Sequence, residues 1–277
     1  MRSSRVNGDD RVYGLGGFRL TLFETGRYFG QVRMTPPVKK NSALFLDIDG
    51  TLLDMARTPE AVVVPAELRS TLARLHEVLE GALAFVSGRS LATIDELFQP
   101  LRIAAVGCHG AETRGADGIL RLLSEPIPDR VRTIFRELTE SHPGTLLEDK
   151  VYALSLHYRL APEAKASLEA VMEKYTPLFA GENVAIQHGK SVIDARIRGV
   201  DKGAGVRALM QQAPFHDRAP VFGGDDTTDM DVFHILPELG GHGFSVGRSF
   251  EGVDYEFSSP RAVRQWLSRL AEKGVAA

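Results

Sequence analysis

The sequence predicts an α/β protein with a parallel-sheet core that is interrupted by an inserted α+β module. From Ser42 onward, short apolar runs alternate with helical patterns, which is typical of parallel crossover units. Beyond about residue 126 the apolar residues alternate in strands with a period of two, which indicates antiparallel pairs with one covered face. After Gly199 the first pattern resumes. We therefore expect the core to comprise residues 42–126 and 199–277, and the insertion to comprise residues 127–198.

The first half of the core has three predicted strands and two predicted helices. Apolar runs at residues 43–48, 83–86 and 103–107 predict the strands. Apolar residues at helical spacing predict the helices between them: Leu68, Leu72, Leu75 and Leu79, then Leu91, Ile94 and Leu97. The second half adds a helix around Val206, a strand at residues 220–222 and a final helix that carries Trp266.

The insertion has a pattern of its own. A helix is predicted around Phe135 and another around Leu168. Each helix precedes strand patterns, the first centred on Leu154 and the later two near residues 184–187 and 191–197. Inserted modules over the end of a parallel sheet commonly close on a ligand, so we expect a lid.

Composition and charge exclude several classes of function. The 277 residues contain 33 Lys and Arg against 36 Asp and Glu, which argues against a dedicated nucleic-acid binder. A single cysteine, Cys108, excludes a disulfide framework and a cysteine-based zinc site. There is neither a membrane-length apolar run nor a signal peptide pattern. We expect a cytoplasmic monomer that acts on a small molecule, without a membrane or nucleic-acid partner.

Residues 1–41 are predicted to be an N-terminal extension outside the core. The first 40 residues contain eight basic and three acidic side chains, and Pro36 and Pro37 separate them from the core. One interpretation is a basic arm that contacts an acidic partner. The other is a weakly structured extension, or translation from a start upstream of Met34.

Two carboxylates follow the first predicted strand, in the motif Asp47-Ile48-Asp49-Gly50-Thr51. Residues two apart in extended chain point the same way, so both carboxylates are expected in one pocket at the carboxyl end of the sheet. A carboxylate can act as a nucleophile that divides phosphoryl transfer into two easier steps. The Thr51 hydroxyl and N–H suit an anion. The alternative interpretation is a turn, since Asp-Gly is a common turn pair.

Three further carboxylates, Asp225, Asp226 and Asp229, follow the strand at residues 220–222. Such a cluster is repulsive unless a cation or solvent separates the charges, and its oxygen ligands suit Mg²⁺. The alternative is an acidic helix start, which accounts for one aspartate better than for three.

Ser87-Gly88-Arg89 and Lys202 each open a predicted helix between these clusters. A hydroxyl and N–H groups at a helix start form an anion site. Lys202 is unfavourable at that end of a helix dipole, which is explained if it reaches a carboxylate and a phosphate. The alternatives are that Ser87 is an N-cap and that Lys202 is a solvated surface charge.

Together and in this order, these motifs resemble the haloacid dehalogenase superfamily of phosphotransferases over residues 43 to about 247. The resemblance implies a Rossmann-like hydrolase core with an inserted α+β cap. It implies that Asp47 is the nucleophile, with Asp49 as the acid and then the base. It also implies the groups that hold the phosphoryl group and neutralise it: Thr51, Ser87, Gly88 and Lys202. The cofactor would be Mg²⁺, with its ligands from Asp47, the Asp49 carbonyl, Asp225 and, directly or through water, Asp229.

Motifs outside this shared set are similar to the trehalose-6-phosphate phosphatase family. They are Ser87-Gly88-Arg89-Ser90-Leu91 with Ile94-Asp95, His109-Gly110-Ala111-Glu112, Glu148-Asp149-Lys150, His157-Tyr158-Arg159 and Gly189-Lys190. The resemblance implies hydrolysis of trehalose 6-phosphate through an aspartyl-phosphate, the last step of trehalose biosynthesis. It implies that the sugar is bound by Arg89, His109, Glu148, Lys150, Arg159, Lys190 and Asp194. Two departures are Met230 and Asp194, each at a position where the family usually has Glu, and the second shortens a sugar-binding side chain.

Several alternatives share part of these motifs. The same chemistry would suit a phosphatase for sucrose phosphate or for glucosyl- or mannosyl-glycerate phosphate, or a phosphomannomutase. From another class, a non-catalytic receiver-like domain also binds Mg²⁺ and is phosphorylated on Asp. Receivers lack the second aspartate of the first motif and the 70-residue lid, which disfavours this class. Among the site residues, His109 has a structural alternative, and Glu148 with Lys150 could form a solvated strand face.

Overall fold

The computed structural model describes the backbone of residues 3–6, 10–15, 18–22 and 32–33, and residues 35–56, 58 and 61–275 in full. These residues form sixteen strands: β1 (Ser3–Val6), β2 (Asp10–Leu15), β3 (Phe18–Leu22), β4 (Val32–Arg33), β5 (Ser42–Leu46), β6 (Leu83–Val86), β7 (Ala104–Gly107), β8 (Glu112–Arg114), β9 (Leu120–Leu122), β10 (Leu146–Asp149), β11 (Ala153–His157), β12 (Val184–Gly189), β13 (Val192–Ile197), β14 (Ala219–Gly224), β15 (His242–Val246) and β16 (Tyr255–Phe257). They also form eight α-helices: α1 (Ala66–Val78), α2 (Leu91–Phe98), α3 (Asp129–Ser141), α4 (Lys165–Lys174), α5 (Thr176–Gly181), α6 (Lys202–Met210), α7 (Met230–Phe233) and α8 (Pro260–Lys273).

The larger sheet has twelve strands, in the order β1-β2-β3-β4-β16-β15-β14-β5-β6-β7-β8-β9. Its centre, from β16 to β7, is parallel throughout, which confirms the predicted α/β class. Strand β5 is buried along its whole length, as expected for a central strand with helices on both faces. The antiparallel strands β8 and β9 extend one edge and were not predicted, because each has only three residues.

Strands β1 to β4 extend the opposite edge. They are antiparallel to one another, and β4 pairs with β16. An edge strand leaves a row of unpaired N–H and C=O groups, which explains why further strands can join β16. The expectation of a weakly structured extension therefore misses these strands. The alternative, a basic arm for an acidic partner, depends on side chains outside the described residues and stays a prediction.

The smaller sheet has the order β10-β11-β13-β12 and is antiparallel throughout. Its elements lie within the span proposed for the insertion, and we refer to them as the cap. Leu154 and Leu156 on β11 pack with Phe135 of α3 and Leu168 of α4 in a core of their own. Glu148, Ser155 and Asp194 lie on the other face of this sheet and line a cavity together with residues of the core. The exact domain boundaries stay a proposal.

The elements that position the site are the carboxyl ends of β5, β6 and β14 and the start of α6. Strands β5 and β14 are neighbours, and β6 lies on the other side of β5, so the loops that follow them lie side by side. Along the described ranges, no helix combines the length and the apolar character that crossing a bilayer requires.

Candidate active site

A cavity of about 150 Å³ lies between the carboxyl ends of the core strands and the polar face of the cap. It brings together almost all residues that the sequence singled out. The residues from that set that line it are Asp47, Asp49, Ser87, Gly88, Arg89, His109, Glu148, Lys150, Arg159, Lys190, Asp194, Lys202, Asp225, Asp226 and Asp229. Thr51 lies beside them without lining the cavity. Its buried hydroxyl has no hydrogen-bond partner among the described residues, which is unusual for a buried polar group.

Asp47 and Lys202 are the centre of the core side of the cavity. Asp47 directly follows β5, and its backbone N–H donates to the carbonyl of Gly223 on β14, which fixes the two loops together. The Lys202 ammonium donates to Asp47 Oδ1 at 2.8 Å and to Asp229 Oδ1 at 2.7 Å. Lys202 opens α6 behind its N-cap, Asp201, and is only 3% exposed. The structure thus gives the buried lysine two carboxylate partners.

The electrostatics of this cluster favour an added cation. Burial raises the pKa of Asp47 well above its usual value; Lys202 opposes this shift, and Asp229 and Asp225 add to it. Burial, with the charges of Asp229 and Asp226, raises the pKa of Asp225 to about 7. Although burial alone would lower it, Asp229 and Asp47 raise the pKa of Lys202, so the ammonium stays charged. One ammonium therefore faces an excess of buried carboxylates.

Asp47, Asp225 and Asp229 could hold a metal ion. They each offer one carboxylate oxygen, and these oxygens lie within 4.8 Å of one another. Gly50 has φ +86° and closely faces Asp225, so a Cβ there would collide with the Asp225 carboxylate. Asp229 Oδ2 also accepts the backbone N–H groups of Asp225 and Asp226, both at 2.9 Å. This set of hard oxygen donors fits a divalent cation, with Asp229 shaping the loop as well.

The side chain of Asp49 lines the cavity and pairs with Arg89. Arg89 Nε donates to Asp49 Oδ2 at 2.6 Å, and Arg89 Nη2 donates to Asp49 Oδ1 at 2.8 Å. Two parallel hydrogen bonds fix both the position and the plane of a carboxylate. The predicted substrate contact of Arg89 stays a prediction; Arg89 lines the cavity, and its bonds to Asp49 also fix the orientation of that carboxylate. For Asp49 itself, the metal prediction concerns its backbone carbonyl.

Ser87 and Gly88 form a second side of the core part of the cavity. The Ser87 hydroxyl accepts the backbone N–H of Arg89 at 3.2 Å, which leaves its own proton available to a ligand. Gly88 packs against His109 so closely that a Cβ at residue 88 would collide with the imidazole ring. Ser87 and Gly88 line the cavity and Thr51 lies beside it, and their binding of a phosphate stays a prediction.

His109 is a buried histidine whose pKa is lowered. Burial lowers its pKa to about 4, against the opposing charge of Asp194, whose Oδ1 lies 3.6 Å from His109 Nε2. Its other nitrogen, Nδ1, has no hydrogen-bond partner among the described residues. His109 therefore lies between the core and the cap with one nitrogen unused.

The cap contributes a row of polar side chains from three neighbouring strands. Glu148 on β10 faces Ser155 on β11, which faces Asp194 on β13. Lys150 Nζ lies 3.2 Å from Glu148 Oε2 and donates to Ser155 Oγ at 2.8 Å. Burial opposes the ionisation of Glu148, but a hydrogen bond with His157 and the charge of Lys150 lower its pKa to about 2. The row is a charged, hydrogen-bonding surface.

Arg159 and Lys190 connect the cap to the core. Arg159 donates to the backbone carbonyl of Ala56 in the core and to that of Lys190 in the cap. The Lys190 backbone N–H lies 3.4 Å from Asp226 Oδ2, and the Thr227 hydroxyl donates to the carbonyl of His188 at 3.3 Å. Both predicted sugar contacts therefore belong to the seam at which the cap meets the core.

Ser155, His157 and Val192 also line the cavity but were not singled out as site residues. A signal for two of them was present in the sequence. Leu154 and Leu156 alternate with Ser155 and His157, so the polar pair must lie on the face opposite the apolar pair. Nothing in the alternation itself says that this face covers an active site.

The sequence is similar to those of known phosphatases over most of its length. The sequence model of the trehalose-phosphatase family matches residues 45–260. The chain belongs to the trehalose-phosphatase family. This membership confirms the resemblance drawn from the motifs and makes the chain an enzyme of the phosphatase class.

Individual members of the trehalose-phosphatase family match most of the chain. A probable trehalose-phosphate phosphatase of Sinorhizobium fredii is 44% identical over 234 residues, which are 83% of this chain and 88% of the relative. A trehalose-6-phosphate phosphatase of Escherichia coli is 35% identical over 238 residues, which are 85% of this chain and 89% of the relative. The solved C-terminal domain of Candida albicans trehalose-6-phosphate phosphatase superposes with a TM-score of 0.74 at 25% identity, covering 86% of this chain and 98% of that domain.

Proposed function

We propose that this phosphatase hydrolyses trehalose 6-phosphate to trehalose and inorganic phosphate, as the last step of trehalose biosynthesis. One observation carries the proposal: a single cavity has Asp47 and Lys202 at its core end and Glu148 and Lys150 at its cap end. A ligand with a phosphate at one end and many hydroxyls at the other suits this division. The names of the relatives from S. fredii and E. coli support the same substrate.

In the first step we propose that an Asp47 carboxylate oxygen attacks the phosphorus atom. A bond forms between that oxygen and phosphorus while the bond from phosphorus to the sugar oxygen breaks, which leaves an aspartyl-phosphate. Asp49 donates a proton to the departing sugar oxygen. Arg89 holds the Asp49 carboxyl group by two hydrogen bonds, so its direction is set before the substrate binds.

In the second step Asp49 accepts a proton from water, and the water oxygen attacks the aspartyl-phosphate. The bond from phosphorus to Asp47 breaks, and the carboxylate and inorganic phosphate are released. Lys202 stays charged through both steps and offsets the repulsion between Asp47 and the phosphate oxygens. Thr51, Ser87 and Gly88 supply hydroxyl and N–H donors for those oxygens.

We propose Mg²⁺ as the cofactor, held by Asp47, the Asp49 carbonyl and Asp225 with Asp229 in support. When bound, it supplies positive charge that stabilises the anionic phosphoryl group in the transition state. The excess of buried carboxylates over the single ammonium supports a divalent cation at this position.

We propose that the sugar is bound by cap residues, with Glu148 and Lys150 as the central pair. Their charges and hydrogen-bonding groups line the cavity opposite the phosphate end. Arg159 and Lys190 at the seam close the cavity around the ligand. A polar site of this kind rejects sugars that leave its groups unpaired, which gives selectivity.

A panel of phosphate esters tests the substrate. Phosphate release is measured in steady state, with and without Mg²⁺, on trehalose 6-phosphate, sucrose phosphate, glucosyl- and mannosyl-glycerate phosphates and mannose phosphates. We expect the highest kcat/KM for trehalose 6-phosphate and no turnover after chelation. Turnover of another ester well above that of trehalose 6-phosphate would contradict the proposed substrate, and full activity in chelator would contradict the cofactor.

The covalent intermediate has its own test in Asp49→Asn. With labelled p-nitrophenyl phosphate, whose leaving group needs no proton from Asp49, the loss of the residue proposed to activate water should leave labelled phosphate on the protein after acid quenching. Asp47→Asn should retain none. Equal labelling of both variants would exclude Asp47 as the nucleophile.

A further inference from the structure

We infer that Ser155 and Asp194 are positioning residues that hold the Lys150 ammonium toward the cavity and so set selectivity for a disaccharide phosphate. This inference rests on the proposed function, in which Lys150 binds the sugar. It gives Ser155 a role that the motifs did not indicate. It also moves Asp194 from a direct sugar contact to a residue that acts through its neighbours.

The hydroxyl of Ser155 links the other two side chains. It accepts a hydrogen bond from Lys150 Nζ at 2.8 Å and donates one to Asp194 Oδ1 at 2.6 Å. A serine hydroxyl has one proton and two lone pairs. Because the proton is directed to the carboxylate, the lone pairs are left for the ammonium. Asp194 thus fixes the direction in which Ser155 can hold Lys150.

Burial makes this arrangement rigid. Ser155 is 1% exposed and Asp194 is 3% exposed, so bulk water does not compete for their hydrogen bonds. The strand register places the two residues directly opposite each other on β11 and β13. A lysine side chain is long and flexible with a compact charge, so its aim depends on fixed partners of this kind. Glu148, 3.2 Å from the ammonium, restrains it from the other side.

Asp194 also connects this cluster to the phosphate end of the cavity. Its Oδ1 lies 3.6 Å from Nε2 of His109, which belongs to the core. The His109 ring packs over Gly88, where only a glycine leaves room for it. The backbone at His109 is left-handed, with φ +55°, which a non-glycine residue rarely adopts. The separation between the sugar-binding ammonium and the phosphate loop is therefore set by packed side chains.

The contacts of Asp194 are with the protein and are made through one oxygen. Its Oδ1 receives the Ser155 proton at 2.6 Å and lies 3.6 Å from His109 Nε2. These contacts favour a positioning role for Asp194.

The test is Ser155→Ala, assayed on trehalose 6-phosphate and on p-nitrophenyl phosphate, which has no sugar for Lys150 to bind. Loss of a hydrogen bond to a charged group should lower kcat/KM for trehalose 6-phosphate about tenfold or more, chiefly through KM. The loss for the small ester should be at most about threefold, because the phosphate end is intact. Ser167→Ala, at an exposed cap residue on α4, is the matched control and should behave as the wild type.

A double-mutant cycle with Lys150→Ala distinguishes an effect of Ser155 on the position of the Lys150 ammonium from a general effect on the structure of the cavity. If Ser155 acts through Lys150, adding Ser155→Ala to Lys150→Ala should cause no further loss on trehalose 6-phosphate. Additive losses would overturn the inference. So would an equal loss on both esters, or wild-type kinetics in folded Ser155→Ala.

Asp194→Asn provides a second variant if Ser155→Ala does not fold, since it preserves shape and removes the charge that directs the Ser155 proton. It should show the same difference between the two esters, and an equal loss on both would overturn the inference. A wild type that does not hydrolyse trehalose 6-phosphate would instead refute the proposed function, and this inference would fail with it.

Discussion

At the scale of single residues, the site concentrates more negative charge than its one lysine can offset. Asp47, Asp225 and Asp229 are all buried around Lys202. Burying like charges together destabilises a fold, so such a cluster is expected where chemistry requires it rather than where stability does. The raised pKa values of Asp47 and Asp225 are the signature of that conflict.

Asp47→Asn should therefore abolish turnover and stabilise the metal-free protein. The amide is a poor nucleophile, so phosphate release should fall to background on every ester. Because the pKa of Asp47 is raised in the fold, its charged form opposes folding at neutral pH. The neutral amide of asparagine removes this unfavourable contribution to stability. In chelator, thermal unfolding should therefore give a higher Tm for Asp47→Asn than for the wild type.

Asp217→Asn is the control for that variant, because the Asp217 side chain is 86% exposed and precedes β14, whereas Asp225 and Asp229 follow that strand. It should change neither activity nor Tm. A lower Tm in Asp47→Asn would show that the bond to Lys202 outweighs the repulsion. Substantial residual turnover would exclude Asp47 as the nucleophile.

Arg89→Ala should lower kcat by at least about tenfold on trehalose 6-phosphate and on p-nitrophenyl phosphate alike, since general acid–base catalysis depends on a correctly directed Asp49. Arg207→Ala is the matched control, because Arg207 also donates two hydrogen bonds to one carboxylate, that of Glu238 on the surface. A rise in KM for the sugar phosphate alone, with normal kcat on the small ester, would instead support the direct substrate contact that the sequence predicted.

The residues that carry the chemistry could be predicted from the sequence, whereas their partners could not. Asp47 and Asp225 stand in short motifs directly after apolar runs, so chain order alone places them at one sheet edge. The pairing of Arg89 with Asp49 joins residues 40 positions apart and depends on how two loops turn. Ser155 has no motif at all, and its role follows only from the register of three strands.

At the scale of secondary structure, a strand could be predicted when the apolar character of its own residues indicates that it is buried. Strand β6 was predicted with its observed bounds because its four residues are apolar and buried. Strand β15 is buried as well, but its sequence, His-Gly-Phe-Ser-Val, contains no apolar run. Strand β9 is half-exposed and only three residues long. Such strands are formed by pairing with their neighbours, which a local pattern does not contain.

The hairpin of β12 and β13 is the element that docks the cap on the loop that follows β14 and on α7. Arg196 on β13 pairs with Asp231 on α7 at 2.8 Å, and both side chains are largely buried. Arg196→Gln should loosen this contact and raise KM for trehalose 6-phosphate by about threefold to tenfold, the range expected for a partly buried ion pair. Steady-state kinetics measures this, and hydrogen exchange at β12 and β13 should become faster.

Arg130→Gln is the control for the docking contact, because Arg130 pairs with Glu182 inside the cap at 3.4 Å and remains exposed. It should leave KM and exchange unchanged. Normal KM in Arg196→Gln would mean that the remaining seam contacts, including that of Arg159 with Ala56, suffice to dock the cap.

At the scale of the whole molecule, metal binding and folding should be coupled through pH. The pKa of Asp225 is about 7 in the metal-free fold, above its usual value of 3.8, because of burial and the nearby carboxylates. Between about pH 4 and about pH 7 the native state therefore holds a proton that the unfolded state has released, so this group's contribution to stability falls as pH rises through that window. A divalent cation binds the deprotonated carboxylates, so it replaces that proton.

Stabilisation by Mg²⁺ should accordingly increase as pH rises to about 7 and then level off. If one proton is displaced for each ion bound, affinity gains about tenfold per pH unit below that point, or about 1.4 kcal/mol of added stability under saturating conditions. The measurement is Tm with Mg²⁺ minus Tm in chelator, at about pH 6 and about pH 8. Asp225→Asn should abolish the difference at both pH values, whereas Asp217→Asn should preserve it. A difference independent of pH would mean that the ion does not compete with the Asp225 proton, and would place the metal elsewhere.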